Sequence, residues 1–179
     1  MIITLSGMPG SGKSTIGDML ARKLGCKRYS MGDLRGKMAM DRGMTIDELN
    51  ALGETEDWTD KQVDEYQEKL GKEEDNFVID GRLSFYFIPH SFKVFLDVDP
   101  LEGAKRVFAH QRPDEARANS VEELQERMRQ RADHDDRRYR KYYGISFRDR
   151  SKFDLVIDTT QLTPGEIVDR ILQALPKSH

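Results

Sequence analysis

The chain has 179 residues, a formal net charge of −3 and 34% charged residues, which suits a single ordinary domain with a real core and gives no global drive toward nucleic acid or an anionic membrane. No apolar run approaches the roughly 20 residues of a membrane-spanning helix, and no basic leader with a cleavage site precedes the first apolar run, so a cytoplasmic protein is expected. Cys26 is the only cysteine and the four histidines are scattered at 90, 110, 134 and 179, which excludes an intramolecular disulfide and a cysteine-rich zinc site.

Residues 2–6 read as a short buried strand. Gly7-Met8-Pro9-Gly10-Ser11-Gly12-Lys13-Ser14 follows and fits G-x-x-x-x-G-K-[ST], the phosphate-binding loop. Ile16, Met19, Leu20 and Leu24 then recur at helical spacing, so strand, loop and helix come in the required order. Glycines let backbone N–H groups converge on phosphate oxygens, and the helix N-terminus adds its positive dipole end. Gly7 to Ser14, with Thr15, are therefore expected to hold the phosphates of ATP. Lys13 would reach the β- and γ-phosphates and the Ser14 hydroxyl would ligate Mg²⁺. A glycine-rich turn that binds nothing is the competing reading, and the surrounding order argues against it.

Further strands are predicted at 27–30, 77–80, 94–97 and 155–158, each short and rich in apolar, β-branched or aromatic residues. Strands alternating with helices imply an α/β chain with a parallel sheet covered on both faces. Between the second and third strands, Thr45 and Glu48 form a capping box opening a helix with Ile46, Leu49 and Leu52. Another helix is predicted over about residues 59–74, with Val63, Tyr66, Gln67 and Leu70 on one side. Phe85, Tyr86 and Phe87 can pack in the core or stack on a base. Residues 105–150 hold 11 of the 17 arginines together with nine Asp or Glu. A solvated, salt-bridged helix accounts for most of these, while phosphoryl transfer needs a few arginines to close over phosphates. Thr163 and Glu166 box the last helix, with Pro164 at its first position and Ile167, Ile171, Leu172 and Leu175 as its stripe.

In this order the pieces resemble the nucleoside monophosphate kinases, most closely cytidylate kinases of the archaeal type, over nearly the whole chain. Ser30-Met31-Gly32-Asp33-Leu34 is similar to the family's S-x-G-D-hydrophobic turn, and Arg42-Gly43-Met44 to its R-G-M segment. Asp60, Asp64 and Gln67 fall on its D-x-x-x-D-x-x-Q, and Asp80-Gly81-Arg82-Leu83 on its E/D-G-R-L. Arg129, Arg131, Arg138, Tyr139 and Tyr143-Gly144-Ile145 look like its lid helix, and residues 154–159 like the strand leading to the base pocket. The resemblance implies a P-loop NTPase-type three-layer fold in one domain, 1–179. It has a five-stranded parallel sheet, a helical monophosphate-binding region at 33–75 and a helical lid within about 105–150.

It also implies the chemistry: ATP with Mg²⁺ phosphorylating a nucleoside monophosphate, CMP or dCMP, in a protein expected to be monomeric and free of nucleic-acid or membrane partners. Lys13 would neutralise the transferring group, with Arg131 and Arg138 clamping the transition state from the lid. Arg127 and Arg140 read as surface ion pairs. Arg82 would pair with the acceptor phosphate, with Asp33 and Arg35 beside it. Here the family's G-D-h-h-R has its arginine one residue early, Gly36 standing where Arg is usual, a helical rotation of about 100°. Asp80, ending an apolar strand beside the loop, is the expected water-mediated Mg²⁺ acid, with Asp97 its competitor. Asp64 and Gln67, one turn apart on a helix, would read cytosine or else be ordinary surface polar groups. The alternatives are a kinase for AMP or a shikimate-like hydroxyl, for which Asp33 is the available base, and a nucleotide-binding switch with weak ATPase activity.

Overall fold

The computed structural model describes residues 1–111 and 115–176. Strands β1 (Ile2–Gly7), β2 (Lys27–Ser30), β3 (Phe77–Asp80), β4 (Phe92–Asp97) and β5 (Leu155–Asp158) form one parallel sheet ordered β2-β3-β1-β4-β5. β1 sits at its centre, with Leu5 opposite Asp80 on one side and Val94 on the other. The helices are α1 (Lys13–Leu24), α2 (Met31–Met40), α3 (Ile46–Gly53), α4 (Trp58–Glu73), α5 (Ser84–Phe87), α6 (Pro100–Ala109), α7 (Val121–Tyr143) and α8 (Pro164–Ala174).

Side-chain alternation along the central strands builds the layers. Ile3, Leu5, Val78, Val94 and Leu96 turn to one face and pack on Ile16 and Leu20 of α1 and Ile167, Val168 and Ile171 of α8. Ile2, Phe77 and Ile79 turn to the other, against Met31 and Met38 of α2, Leu49 of α3 and Val63 and Leu70 of α4. Each such side chain, fully buried, stabilises the fold by about 1.5–3 kcal/mol. Both predicted capping boxes form, at Thr45 with Glu48 and at Thr163 with Glu166. On α4, Val63, Gln67 and Leu70 are buried as expected, but Tyr66 is exposed. At three residues past Val63 it rotates off the inward stripe, edge-on to Tyr29.

The arginine-rich segment divides in two. α7 is one helix of 23 residues, and Ser120 caps it by accepting from the Glu123 N–H. Before residue 132, Arg127 and Arg129 bond helix neighbours at the surface, Arg127 to Glu123 and Arg129 to Glu126 and Asp133, while Arg131 reaches back to Glu115. From Ala132 onward it enters a third core cluster of Leu83, Phe85, Phe95 and Phe147, flanked by Tyr139, Tyr143 and Phe153. Phe85 is thus core, and Tyr86 is exposed. Arg112 of the cluster and His179 lie outside the described residues. Among the described residues no helix is long and apolar enough to cross a membrane.

Candidate active site

The carboxyl ends of β3, β1 and β4 meet where the strand order reverses, the crevice in which open α/β sheets hold ligands. The chain leaves β1 there as the phosphate loop. Gly10 and Gly12 have φ of 77° and 91°, a region that side chains rarely enter. A Cβ on Gly10 would also lie 2.4 Å from the Gly103 carbonyl oxygen of α6. Met8 N–H donates to the Leu96 carbonyl (3.0 Å) and Ser11 N–H to that of Met8 (3.2 Å), closing the loop on β4. α1 then starts at Lys13 with no capping side chain, so its first N–H groups stand ready for an anion. Ser11 Oγ is buried with no hydrogen-bond partner among the described residues. An orphaned hydroxyl in a loop of converging N–H groups fits phosphate oxygens as its missing partner.

Lys13 is half-buried and folds back to donate to the carbonyls of Gly7 and Met8, both at 3.1 Å. Burial, then the charge of Arg82, lowers its pKa to about 7. A phosphate would reverse that by supplying negative charge. Met8, Pro9 and Gly10 are half-buried, and Ser14 and Thr15 lie exposed on the first turn of α1. Asp80 is buried at the end of β3. Its Oδ1 accepts from Ser30 Oγ (3.0 Å) and its Oδ2 from Arg28 Nε and Nη2 (2.9 and 2.6 Å). Burial raises its pKa, and Arg28 is the chief opposing influence. The competitor Asp97 is half-buried and bonded by Arg150 (2.7 Å) on the far side of β4. Among the described residues no group of three or more His, Cys, Asp or Glu is set to hold a metal. Mg²⁺ in kinases takes few protein ligands and several phosphate and water oxygens, so the hard oxygens of Ser14 and Asp80 suit it.

The acceptor side is a chain of alternating charges. Ser6 Oγ donates to the Arg82 carbonyl (2.9 Å), pinning that residue beside β1. Arg82 Nη1 bonds Asp135 of α7. Asp135 also lies 2.9 Å from Arg138, and Arg138 Nε donates to Asp60 Oδ2 at 2.7 Å. Asp60 in turn accepts from Arg35 Nη1 (3.1 Å), which is also held by Asn50 and the Thr59 carbonyl. Arg35 therefore reaches this chain although it stands one residue early on α2. Arg138 is only 2% exposed, so in this conformation it ties α7 to α4. Arg131 Nη1 instead bonds Glu115 at 2.8 Å at a partly exposed position. Arg35 Nη2 is buried without a hydrogen-bond acceptor among the described residues, while Arg138 Nη1 faces Asp135 Oδ1 at 2.9 Å as an ion pair. A buried guanidinium donor without an acceptor suits an anion that the chain does not itself supply. Burial foremost lowers the pKa of Arg82 to about 10. Asp33 is exposed on the first turn of α2, its N–H received by Ser30 Oγ.

Asp64 and Gln67 share the inner face of α4. Tyr143 of α7 donates to Asp64, and burial followed by the charge of Asp60 raises the Asp64 pKa to about 8. Gln67 Oε1 accepts from Ser84 Oγ at 2.6 Å, which leaves its amide N–H groups to face elsewhere. Sequence reasoning missed Arg28 and Asp135, and had no partner for Gln67. The apolar run of β3 signalled Asp80 but carried no sign that a β2 arginine would meet it. For Asp135, i,i+3 spacing from Arg138 on a predicted helix was the available signal.

A parallel sheet ordered about a phosphate loop, an acid at the neighbouring strand end and converging arginines define a P-loop kinase. A shikimate kinase from Bacteroides thetaiotaomicron shares this fold with TM-score 0.66 at 18% identity, 97% of each chain being covered. Residues 2–161 match the model of the cytidylate kinase-like family. The chain is 32% identical over 176 residues to a cytidylate kinase of Archaeoglobus fulgidus, covering 98% of this chain and 94% of that one. It is also 35% identical over 178 residues to an S-adenosylmethionine-dependent nucleotide dehydratase of Lacinutrix mariniflava, of whose length it spans 36%. The chain belongs to the cytidylate kinase-like family and is a nucleoside monophosphate kinase.

Proposed function

We propose that the chain transfers the γ-phosphoryl group of ATP to CMP or dCMP. The observation that carries the choice of base is that half-buried Asp64 and buried Gln67 stand one turn apart on α4. A carboxyl group with its pKa near 8 holds a proton at neutral pH. It can then donate to the basic N3 of cytosine while accepting from the exocyclic amine, and the Gln67 amide can donate to O2. Uracil lacks the basic N3 and adenine lacks O2.

The phosphates of ATP lie on the loop N–H groups and Ser11 Oγ, and the Lys13 ammonium leaves its carbonyl acceptors for the β- and γ-oxygens. When bound, Mg²⁺ neutralises phosphate charge, with Ser14 and Asp80 as the residues that would hold it. Arg82 exchanges its Asp135 partner for the acceptor phosphate, and Arg131 exchanges Glu115 for the transferring group. Arg35 supplies its unpartnered Nη2, and Arg138 turns Nη1 from Asp135 to the phosphate. The acceptor is already an anion, so no general base is required. Water exclusion over the loop limits wasteful hydrolysis.

A panel assay of ADP release with CMP, dCMP, UMP, AMP and shikimate tests this. CMP or dCMP should give the highest kcat/KM, and Asp64→Asn should lose that preference. Faster turnover with AMP rejects the cytosine reading alone. Turnover only with shikimate rejects the monophosphate acceptor.

A further inference from the structure

Arg28 belongs to β2, outside the phosphate loop, yet it holds the acid proposed to carry Mg²⁺. Nε and Nη2 both donate to Asp80 Oδ2, at 2.9 and 2.6 Å, while Nη1 donates to Asp18 Oδ1 at 3.1 Å. Asp80 is 6% exposed and Asp18 54%, so one guanidinium spans a buried acid and a solvated one. The space for it comes from α1. A Cβ on Gly17 would lie 2.9 Å from Arg28 Nε and 3.5 Å from Asp80 Oδ2. Gly17 is three residues beyond Ser14 on that helix and shares its face. The guanidinium thus rests against the helix face that presents the Ser14 hydroxyl, on the carboxylate oxygen turned toward that helix. Beside it opens a cavity of about 520 Å³ lined by Asp18, Ala21, Arg22, Gly25 and Cys26 as well as Arg28.

A divalent cation held through water by Asp80 and a guanidinium bound to the same carboxylate repel, strongly so where bulk water is scarce. We propose that Arg28 is a resident counter-ion of Asp80 that the divalent cation must displace, with Asp18 and the adjoining cavity receiving the guanidinium. Arg28 then sets how much Mg²⁺ the site needs. This rests on the reading of Asp80 as the metal-side acid. It also explains how a buried carboxylate stays paired before metal arrives.

The test is calorimetric titration of a non-hydrolysable ATP analogue across a Mg²⁺ series, with turnover measured in parallel. In Arg28→Gln the Mg²⁺ concentration giving half of the affinity gain should fall at least about threefold, with affinity in the absence of Mg²⁺ changed less than twofold. Gly17→Ala keeps both charges but pushes the guanidinium off its seat, and should shift the midpoint the same way. An unchanged or raised midpoint in Arg28→Gln overturns the proposal. Should that variant not fold, Gly17→Ala decides by the same criterion. Asp80→Asn separates the two readings. Mg²⁺ dependence equal to wild type there rejects Asp80 as the acid and the proposal with it. A changed dependence there, with an unshifted Arg28→Gln, rejects only the role of Arg28.

Discussion

The phosphate loop and the arginine chain of the acceptor side both present positive groups to anions, but they are built in opposite ways. The loop is local: consecutive residues, backbone donors and positive-φ glycines at positions 10 and 12. The arginine chain is assembled from α2, α4, α7 and the turn after β3, and each link joins residues remote in sequence except Arg138 with Asp135. A site of the first kind can lose its chemistry and keep its fold. A site of the second kind cannot lose a member without exposing a buried partner charge.

Variants can break or sharpen this contrast. Lys13→Ala should lower turnover by about three orders of magnitude or more, because a main electrostatic component of phosphoryl transfer is gone. Its urea midpoint should not fall below wild type, since burial of the Lys13 ammonium opposes folding near neutral pH. Retention of more than about a tenth of turnover would remove Lys13 from the chemistry. Arg138→Ala should do the reverse first, costing about 3–5 kcal/mol of stability by removing the buried cation shared by Asp60 and Asp135, which leaves each with a single arginine. A loss under about 1 kcal/mol in urea unfolding would show that the chain of charges does not join α7 to α4. Arg82→Ala should lower acceptor kcat/KM by about 2–3 kcal/mol, the scale of charge-assisted bonds, with the KM for ATP nearly unchanged.

The loop also makes a pH prediction. With its pKa lowered to about 7, Lys13 binds fewer protons in the free folded enzyme than in the unfolded chain between about pH 7 and its ordinary value near 10.4. Stability of the free enzyme should therefore gain from Lys13 as pH rises through that window. Affinity for a metal-free ATP analogue should move the other way, falling up to about tenfold per pH unit above 7, since phosphate favours the ammonium. Calorimetry in buffers of different ionisation enthalpy should detect proton uptake on binding, and Lys13→Ala should abolish it. The smallest effect belongs to Arg129→Ala. Its partners Glu126 and Asp133 are helix neighbours at the surface, so stability should change by less than about 0.5 kcal/mol.

The same contrast explains what could be read from the sequence. Three strands, β2, β3 and β5, fall on the predicted residues; β3 is an inner parallel strand whose burial is written into consecutive apolar side chains, whereas β2 and β5 are half-exposed edges. The loop was legible because its chemistry is backbone chemistry fixed by glycine spacing. The arginines were not separable one by one. Arg129 and Arg138 are alike as residues; Arg129 pairs with helix neighbours, whereas Arg138 meets the distant Asp60 on the stretch of α7 that packs on the core. Tyr66 was misplaced because the inward stripe of α4 runs through Val63, Gln67 and Leu70, and Tyr66 falls at its edge. α6 carried a start signal that was passed over: Asp99 caps it, with Pro100 at its first position.

The place of β1 has a consequence for how the chain is made. Its ladders on both sides are completed only by β3 and β4, at Phe77 and Phe92 onward. A ribosome therefore releases the phosphate loop long before anything exists to pin it. The emerging strand, with Ile3 and Leu5 on one face and Ile2 on the other, must stay unpaired until β3 arrives at Phe77, and open on one side until β4 arrives at Phe92. Such distant parallel pairing is slow and leaves a strand open to foreign partners meanwhile. Refolding from denaturant should accordingly be most prone to aggregation for truncations ending before β4, in which the central strand has no second neighbour.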